Sequence, residues 1–212
     1  MKTLFVWFLS LLMTTSVVST ANNHPFGVKV YTLGEPVLKK SCTAVSKDEI
    51  LTSPALKAAS NDAHTALNNF RAKMGFGRAI AAPQVGHPLR FVALNMNGVS
   101  QTLFNPEIIN HSDETFTMWD DCLSFPDLMC CVRRYKWISV EFQNEQGEEV
   151  VWEHCDQALS ELLQHEIDHL DGILAIDRAV KPKEEGTCDG VVSRVDWLQR
   201  RDYYDPLVDH HY

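Results

Sequence analysis

The sequence has few positive charges, and this shortage excludes one large class of function. Its 19 Lys and Arg residues are outnumbered by 28 Asp and Glu residues, which gives a net charge of −9 at pH 7. No basic run is longer than short pairs such as Arg200-Arg201. Because nucleic-acid binding depends on Lys and Arg side chains that neutralise phosphates, the chain is not expected to bind nucleic acid.

The chain also lacks a hydrophobic run of the ~20 residues that a transmembrane helix needs. Residues 4–13 are apolar apart from one Ser, follow a single Lys, and lead into small and polar residues that end at Ala21. This pattern predicts a secretory signal peptide over residues 1–21, with an uncleaved signal anchor as the alternative. No Arg precedes Arg71, which argues against an organellar transit peptide. We therefore expect export to the periplasm or the medium, and a cytoplasmic location only if the leader is not a signal.

Internal repeats, low-complexity runs and interdomain linkers are absent from the sequence as well. Residues 22–180 are therefore predicted to form one domain, and residues 181–212 a C-terminal extension without assigned elements. Periodicity predicts helix over residues 46–74, with a break at Pro54. Short strands are predicted at residues 28–33, 90–96, 101–104, 136–142 and 150–153. Helices combined with hairpin-forming strands indicate an α+β fold.

The clearest predicted helix covers residues 157–170, which contain no Gly or Pro. Asp156 is placed to cap its start, and Gly172 lies just past its end. His165 and His169 are four residues apart, so both point to one face of this helix. Two imidazoles that share one metal ion need this spacing.

Glu166 lies about 100° around the helix from His165, beside such a metal and not on it. Its carboxylate could take a proton from a water that the metal activates and pass the proton on. A chance pair of solvent-facing histidines is the alternative. Ala158 and Leu162 share the face of the histidines, which predicts partial burial, and a buried imidazole needs a partner. The pattern therefore favours a metal-dependent hydrolase.

Two histidines leave a metal site in need of a third protein ligand. Downstream of the helix only His210 and His211 remain, and both lie in the terminal residues of the sequence. Upstream, Cys122 would supply a thiolate, which with two imidazoles makes a compact tetrahedral site with one open position. The residues alone leave the choice open between a zincin-type metallopeptidase and a site that includes Cys122.

Three segments together resemble the peptide deformylase family. They read Gly-Arg-Ala-Ile-Ala-Ala-Pro-Gln over residues 77–84, Asp-Asp-Cys-Leu-Ser over residues 120–124, and Gln-His-Glu-Ile-Asp-His over residues 164–169. The family patterns are G-x-G-x-A-A-x-Q, E-G-C-L-S and Q-H-E-x-D-H, in the same order. The resemblance extends over roughly residues 28–177. It implies mixed or antiparallel β-sheets around a central metal-binding helix.

The resemblance also implies an activity and roles for particular residues. The enzyme would hydrolyse the N-formyl group of N-formylmethionyl peptides, or a related formamide or small amide, and release formate. Glu166 would shuttle the proton, while Gln84 and the backbone N–H of Leu123 would stabilise negative charge on the formyl oxygen. One divalent ion, Fe²⁺ by resemblance and Zn²⁺ as the alternative, would be held by Cys122, His165 and His169. A non-catalytic protein that binds metal or formyl-peptides is a further alternative.

The metal is predicted to follow from the compartment. Fe²⁺ bound through a thiolate would oxidise readily outside the cytosol, whereas Zn²⁺ has no redox chemistry. An exported protein of this kind is therefore expected to hold Zn²⁺.

Departures from the family patterns concentrate near the predicted substrate. Ala79 and Asp121 stand where the patterns have Gly, which lets a bound peptide approach the backbone closely. By the resemblance, Arg78 and Glu161 lie in the pocket for the methionine side chain, next to Gly77. We hypothesise that these two charges pair with each other or bind a polar substrate group. The alternative is that both side chains extend into solvent.

Two adjacent arginines follow the Cys122 segment. Arg133 and Arg134 are predicted to lie at the surface, where ion pairs contribute little. The alternative is that one of them faces Asp120 or Asp121.

Overall fold

The sheets and helices of the protein surround one buried helix that carries both motif histidines. In the computed structural model, the described residues are 24–180 and 190–210. The predicted signal peptide at residues 1–21 lies outside them, as do residues 181–189 of the predicted extension. The combination of helices with antiparallel sheets confirms the predicted α+β fold.

Capping residues and a proline mark the starts of the two longest helices. The α-helices are α1 (Lys47–Thr52), α2 (Pro54–Met74), α3 (Gln157–Leu170), α4 (Arg194–Gln199) and α5 (Arg201–Tyr204). Ser53 caps α2 and Pro54 occupies its first turn, which confirms the predicted break. Asp156 caps α3 as predicted. None of the helices in the described residues is both long and apolar enough to cross a membrane.

The strands form two antiparallel sheets. They are β1 (Ala79–Ala81), β2 (Phe91–Met96), β3 (Val99–His111), β4 (Thr115–Asp120), β5 (Leu128–Tyr135), β6 (Ile138–Gln143), β7 (Glu149–Cys155) and β8 (Val191–Ser193). The five-stranded sheet has the order β1-β2-β3-β6-β7, and the three-stranded sheet has the order β4-β5-β8. All pairings between these strands are antiparallel, so hairpin-like connections account for most of the topology.

The strand predicted at residues 28–33 is wrong, because no strand of the described residues pairs with this segment. Its Tyr31 N–H donates to Gln84 O at 2.7 Å, and its Leu33 N–H donates to Ser124 O at 2.9 Å. These acceptors belong to a 3₁₀-helix at Ala82–Val85 and to a turn, so the segment does not join a strand ladder. The same two bonds place the segment beside two of the sequence motifs.

The other predicted strands are present as parts of β2, β3, β6 and β7. β3 is longer than the predicted strand at residues 101–104. It continues through Pro106 to His111. Its register with β6 shifts between Phe104 and Glu107. Pro106, which has no N–H to donate, therefore sits at an irregularity where the ladder is interrupted.

α3 lies between the two sheets, and residues 160–170 are all buried. Leu163 and Leu170 belong to the core that packs on the five-stranded sheet. On the opposite side, the Gln164 side chain accepts from the Tyr135 N–H at 3.0 Å and donates to Tyr135 O at 3.1 Å. These bonds join α3 to the end of β5, so the position of the helix is fixed from both sides.

Residues 190–210, here named the C-terminal arm, fold onto the three-stranded sheet. β8 pairs with β5, and Trp197 and Tyr204 pack with Trp119 of β4 in one buried cluster. The Trp119 Nε1–H donates to Tyr204 O at 2.9 Å. No local sequence pattern predicts these elements, because contacts with distant residues stabilise them.

Candidate metal centre

Three buried side chains from two separate segments meet at one point. His165 and His169 stand one turn apart on α3, and Cys122 lies in the turn that follows β4. His169 Nε2 lies 3.2 Å from both the Cys122 Sγ and the His165 Nε2. All three ligating atoms lie within 4.8 Å of one another. The structure therefore brings together the three residues predicted as metal ligands.

The spacing of these three atoms, the donor cluster, fits a metal ion. Bonds of about 2.0 Å to nitrogen and about 2.3 Å to sulfur, at tetrahedral angles, hold ligand atoms roughly 3.3–3.6 Å apart. The observed separations of 3.2 Å are close to that range. Two imidazoles and one thiolate also suit Fe²⁺ or Zn²⁺ better than the hard ions Mg²⁺ or Ca²⁺.

The zincin interpretation, which needs a downstream ligand, gains no support from the described residues. The ring of His210 lies against Phe116, with ring centroids 5.8 Å apart, and His210 is not part of the donor cluster. His211 lies outside the described residues.

Asp120 orients His165 toward the donor cluster. Its Oδ2 lies 2.9 Å from His165 Nδ1, so that nitrogen carries the proton and Nε2 faces His169. Burial by itself would raise the pKa of Asp120, but the charges and hydrogen bonds of His165 and Arg134 hold the pKa at about 2. Asp120 is therefore a carboxylate, which fixes the tautomer of its histidine.

The two imidazoles differ in their preferred charge. Burial opposes the charged form of each, yet the Asp120 carboxylate raises the pKa of His165 well above its usual value. Burial and the positive charge of His165 lower the pKa of His169 well below its usual value. The difference arises because only His165 has a carboxylate, Asp120, as a direct partner.

Arg134 corrects a prediction, because it is buried and not at the surface. Its Nη2 donates to Asp120 Oδ2 at 3.2 Å, and its Nη1 donates to Asp168 Oδ2 at 2.6 Å. Arg178 also donates to Asp168, at 2.7 Å. Neighbouring residues of a strand point to opposite faces, so Arg133 is exposed as predicted while Arg134 points inward. This chain of ion pairs ties α3 to β4 and β5.

Glu166 is buried beside the donor cluster, on the wall of a cleft that His165 also lines. Burial, against the positive charge of His165, raises the pKa of its carboxyl to about 7. Its Oε2 has no hydrogen-bond partner among the described residues. A carboxyl in this position can accept a proton from a group in the cleft and return it.

Gln84 presents its amide nitrogen to the Cys122 side of the cleft. The Ala81 N–H donates to its Oε1 at 2.8 Å, which orients the amide group. Its Nε2 then donates to Ser124 Oγ at 3.2 Å and to Cys122 Sγ at 3.5 Å. Leu123 lines the same cleft. Fixed N–H donors at such a position stabilise negative charge that develops on a bound carbonyl oxygen.

The cleft has a volume of about 830 Å³ and reaches His165 and Cys122 of the donor cluster. Gly77 has a φ of 110°, and a Cβ there would lie 2.9 Å from the Phe70 ring, so only glycine fits. All five predicted substrate-binding residues line this cleft, namely Gly77, Arg78, Ala79, Asp121 and Glu161.

Arg78 and Glu161 form an ion pair on the wall of the cleft, which confirms that part of the hypothesis. The Glu161 side chain is only 4% exposed, and Arg78 Nη1 also donates to Ala158 O at 2.9 Å. The alternative, in which both charges extend into solvent, is therefore wrong. On the same helix, Leu162 is buried as predicted, whereas Ala158 is exposed.

Among the cleft residues that the sequence does not predict, two come from the C-terminal arm. These are Arg194 and Trp197, and Arg194 forms an ion pair with Asp121. No motif or local periodicity marks either residue. The departure at Asp121 was the one available signal, because an added charge near a buried site needs a partner.

Comparison with known proteins shows that the chain is similar to peptide deformylases. The model of the polypeptide deformylase family matches residues 28–185. A peptide deformylase of Thermotoga neapolitana is 36% identical over 155 residues, which cover 73% of this chain and 87% of that protein. One of Pseudothermotoga lettingae is 33% identical over 175 residues, covering 82% of this chain and 96% of that protein.

Solved structures agree with this result. A peptide deformylase from Synechococcus elongatus in complex with actinonin aligns with a TM-score of 0.66 and 25% identity, covering 78% of this chain and 85% of that chain. A Met-Ala-Ser-bound class I type b peptide deformylase from Acinetobacter baumannii aligns with a TM-score of 0.62 and 31% identity, covering 71% of this chain and 97% of that chain.

Proposed function

This chain belongs to the peptide deformylase family, and we infer that it removes the formyl group from N-formylmethionyl peptides. The products are formate and a peptide with a free amino terminus. The observation that carries this inference is the convergence of Cys122, His165 and His169, whose ligating atoms lie within 4.8 Å of one another at the cleft that contains Glu166. The peptide binds in that cleft as its substrate.

We propose that Cys122, His165 and His169 hold one divalent ion. When bound, such an ion supplies Lewis acidity and lowers the pKa of water toward ~7. Asp120 accepts a hydrogen bond from the Nδ1–H of His165, which leaves the lone pair of His165 Nε2 available for the ion. The Arg134 and Asp168 ion pairs hold Asp120 and α3 in place.

Glu166 transfers the proton in the reaction, and two N–H donors stabilise the negative charge that develops on the formyl oxygen. Glu166 accepts the proton of the attacking water and delivers it to the nitrogen of the departing peptide. As the formyl carbon becomes tetrahedral, its oxygen becomes negative, and Gln84 Nε2 and the Leu123 N–H donate to it. Burial of Glu166 and of the donor cluster keeps these charges out of bulk water, where each interaction would be weaker.

The identity of the bound ion depends on the compartment in which the protein resides. We propose that residues 1–21 direct export and that the exported protein holds Zn²⁺, because Fe²⁺ bound through a thiolate would oxidise there. The donor cluster suits either ion, so the compartment and not the geometry decides between them.

The activity is tested by formate release from formyl-Met-Ala-Ser. Protein freed of metal with a chelator and then loaded with Fe²⁺ or Zn²⁺ is expected to release formate, whereas the metal-free protein should not. Elemental analysis of protein purified from its native compartment identifies the resident ion. Equal rates with and without metal, or no formate from any form, would contradict the proposed function.

We further propose that the Arg78–Glu161 pair makes the cleft a weaker binder of the methionine side chain than an apolar wall would be. Replacing both residues by Ile is expected to raise kcat/KM for formyl-Met-Ala-Ser about tenfold. Burial of a methionine side chain against an apolar wall contributes about 1.5 kcal/mol or more, which a charged wall does not provide. The measurement compares kcat/KM for wild type and for Arg78→Ile, Glu161→Ile.

The single variant Arg78→Ile is the matched control for this prediction. It leaves the buried Glu161 carboxylate without its arginine, so we expect a lower Tm and no gain in kcat/KM. If the double variant shows no gain on the methionyl peptide, the pair does not set the preference of the cleft.

A further inference from the structure

The C-terminal arm supplies a charged group to the substrate cleft, although the arm lies beyond residues 28–185, which the family model matches. Arg194, the first residue of α4, forms an ion pair with Asp121. Its Nε donates to Pro126 O at 2.6 Å. Its guanidinium carbon lies 5.6 Å from the centre of the Phe76 ring, on the loop before β1. Arg194 therefore contacts both walls of the cleft.

The backbone of the arm holds Arg194 in this position. β8 pairs with β5 in the residues just before Arg194, and the Arg194 N–H donates to Asp127 O at 2.8 Å. Trp197, one turn further along α4, is buried in the cluster around Trp119. A folded element that packs on the three-stranded sheet therefore positions the Arg194 side chain.

Asp121 places a negative charge where it would oppose the proposed reaction. It directly precedes Cys122, so the two Cα atoms are about 3.8 Å apart. Its side chain is 39% exposed and lines the same cleft as Gln84 and Leu123, the two proposed N–H donors. Negative charge that develops on the formyl oxygen would be repelled by an uncompensated carboxylate in the same cleft.

We propose that Arg194 is a positioning residue of the active site, which acts by neutralising Asp121 beside the reacting formyl group. This inference rests on the proposed function. With Arg194 in place, the carboxylate at position 121 is paired, and the N–H donors act on the formyl oxygen without a competing negative charge. The C-terminal arm is then part of the catalytic unit.

A charge-rescue experiment tests this role. Arg194→Gln is expected to lower kcat for formyl-Met-Ala-Ser about tenfold and to weaken the binding of formate, an anion, by a similar factor. The double variant Arg194→Gln, Asp121→Asn should regain both, because the unpaired charge is gone. Arg194→Lys should keep most of the wild-type kcat. Formate binding is measured by calorimetry, independently of turnover.

Two further measurements separate this role from a merely structural one. Metal content should not fall in Arg194→Gln, because a nearby carboxylate does not repel a cation. Arg200→Gln, in the same arm but with a side chain that is 51% exposed, should leave kcat and formate binding unchanged. A loss in Arg194→Gln that Asp121→Asn does not rescue, or no loss at all, overturns the proposal. Inactivity of the metal-loaded wild type would instead overturn the proposed function.

Discussion

Replacing Glu166 by Gln is expected to lower kcat for formate release from formyl-Met-Ala-Ser by about 10²–10⁴-fold, the usual contribution of a positioned acid-base group. Gln has nearly the same shape but cannot accept the proton of the attacking water. The side chain is buried and its Oε2 has no hydrogen-bond partner among the described residues, so few other contacts change. Binding of the peptide and the metal content should therefore remain close to wild type.

Single-turnover kinetics measure the expected fall in the rate of formate release, and isothermal titration measures the binding of the peptide. Glu153→Gln, an equivalent change at an exposed position on β7, is the matched control and should leave kcat unaltered. If Glu166→Gln kept its kcat, the proton would have to travel by another route. If the wild type only bound the peptide, the alternative of a non-catalytic binding protein would hold.

Replacing Cys122 by Ala is expected to remove the metal and, with it, the activity. Loss of a group that only hydrogen-bonds to a metal ligand weakens metal binding by about 10–100-fold, and loss of a ligand itself should exceed this. Metal per protein after dialysis should fall from near one to near zero, and formate release should fall in parallel. The two remaining donors, His165 and His169, cannot complete a tetrahedral site.

Cys155→Ala is the control for this substitution. Cys155 is also a buried free thiol, but it packs in the core of the five-stranded sheet and is not part of the donor cluster. It should keep its metal and its kcat. Retention of the metal by Cys122→Ala would show that the third ligand lies elsewhere, as in a zincin-type peptidase.

Features with local causes were predictable from the sequence. α3 follows from a capping Asp156 and an uninterrupted helical stretch, and the break before α2 follows from Pro54. The shared face of His165 and His169 needs only the helical repeat. The hairpin of β6 and β7 follows from alternation around a turn at residues 144–147. Each of these elements is determined by residues within the same short segment of the sequence.

Features that depend on distant partners were not predictable in this way. Cys122 meets the two histidines only because β4 ends beside α3, so the family resemblance was needed to choose it. Arg134 looked like a surface residue, because its partners Asp120 and Asp168 are far from it in sequence. The elements of the C-terminal arm have no local sequence signature, because the buried surface that stabilises them belongs to Trp119 and its neighbours.

The pairing of β8 with β5 also bears on aggregation. β5 is hydrogen-bonded to β4 along one side and to β8 along the other, so its N–H and C=O groups at residues 128–130 are satisfied. A chain shortened to the family-matched residues 28–185 would leave that edge open and uncover the apolar cluster around Trp119. An unpaired strand edge beside exposed apolar side chains is a template for association with other chains. The arm therefore also protects the fold against self-association.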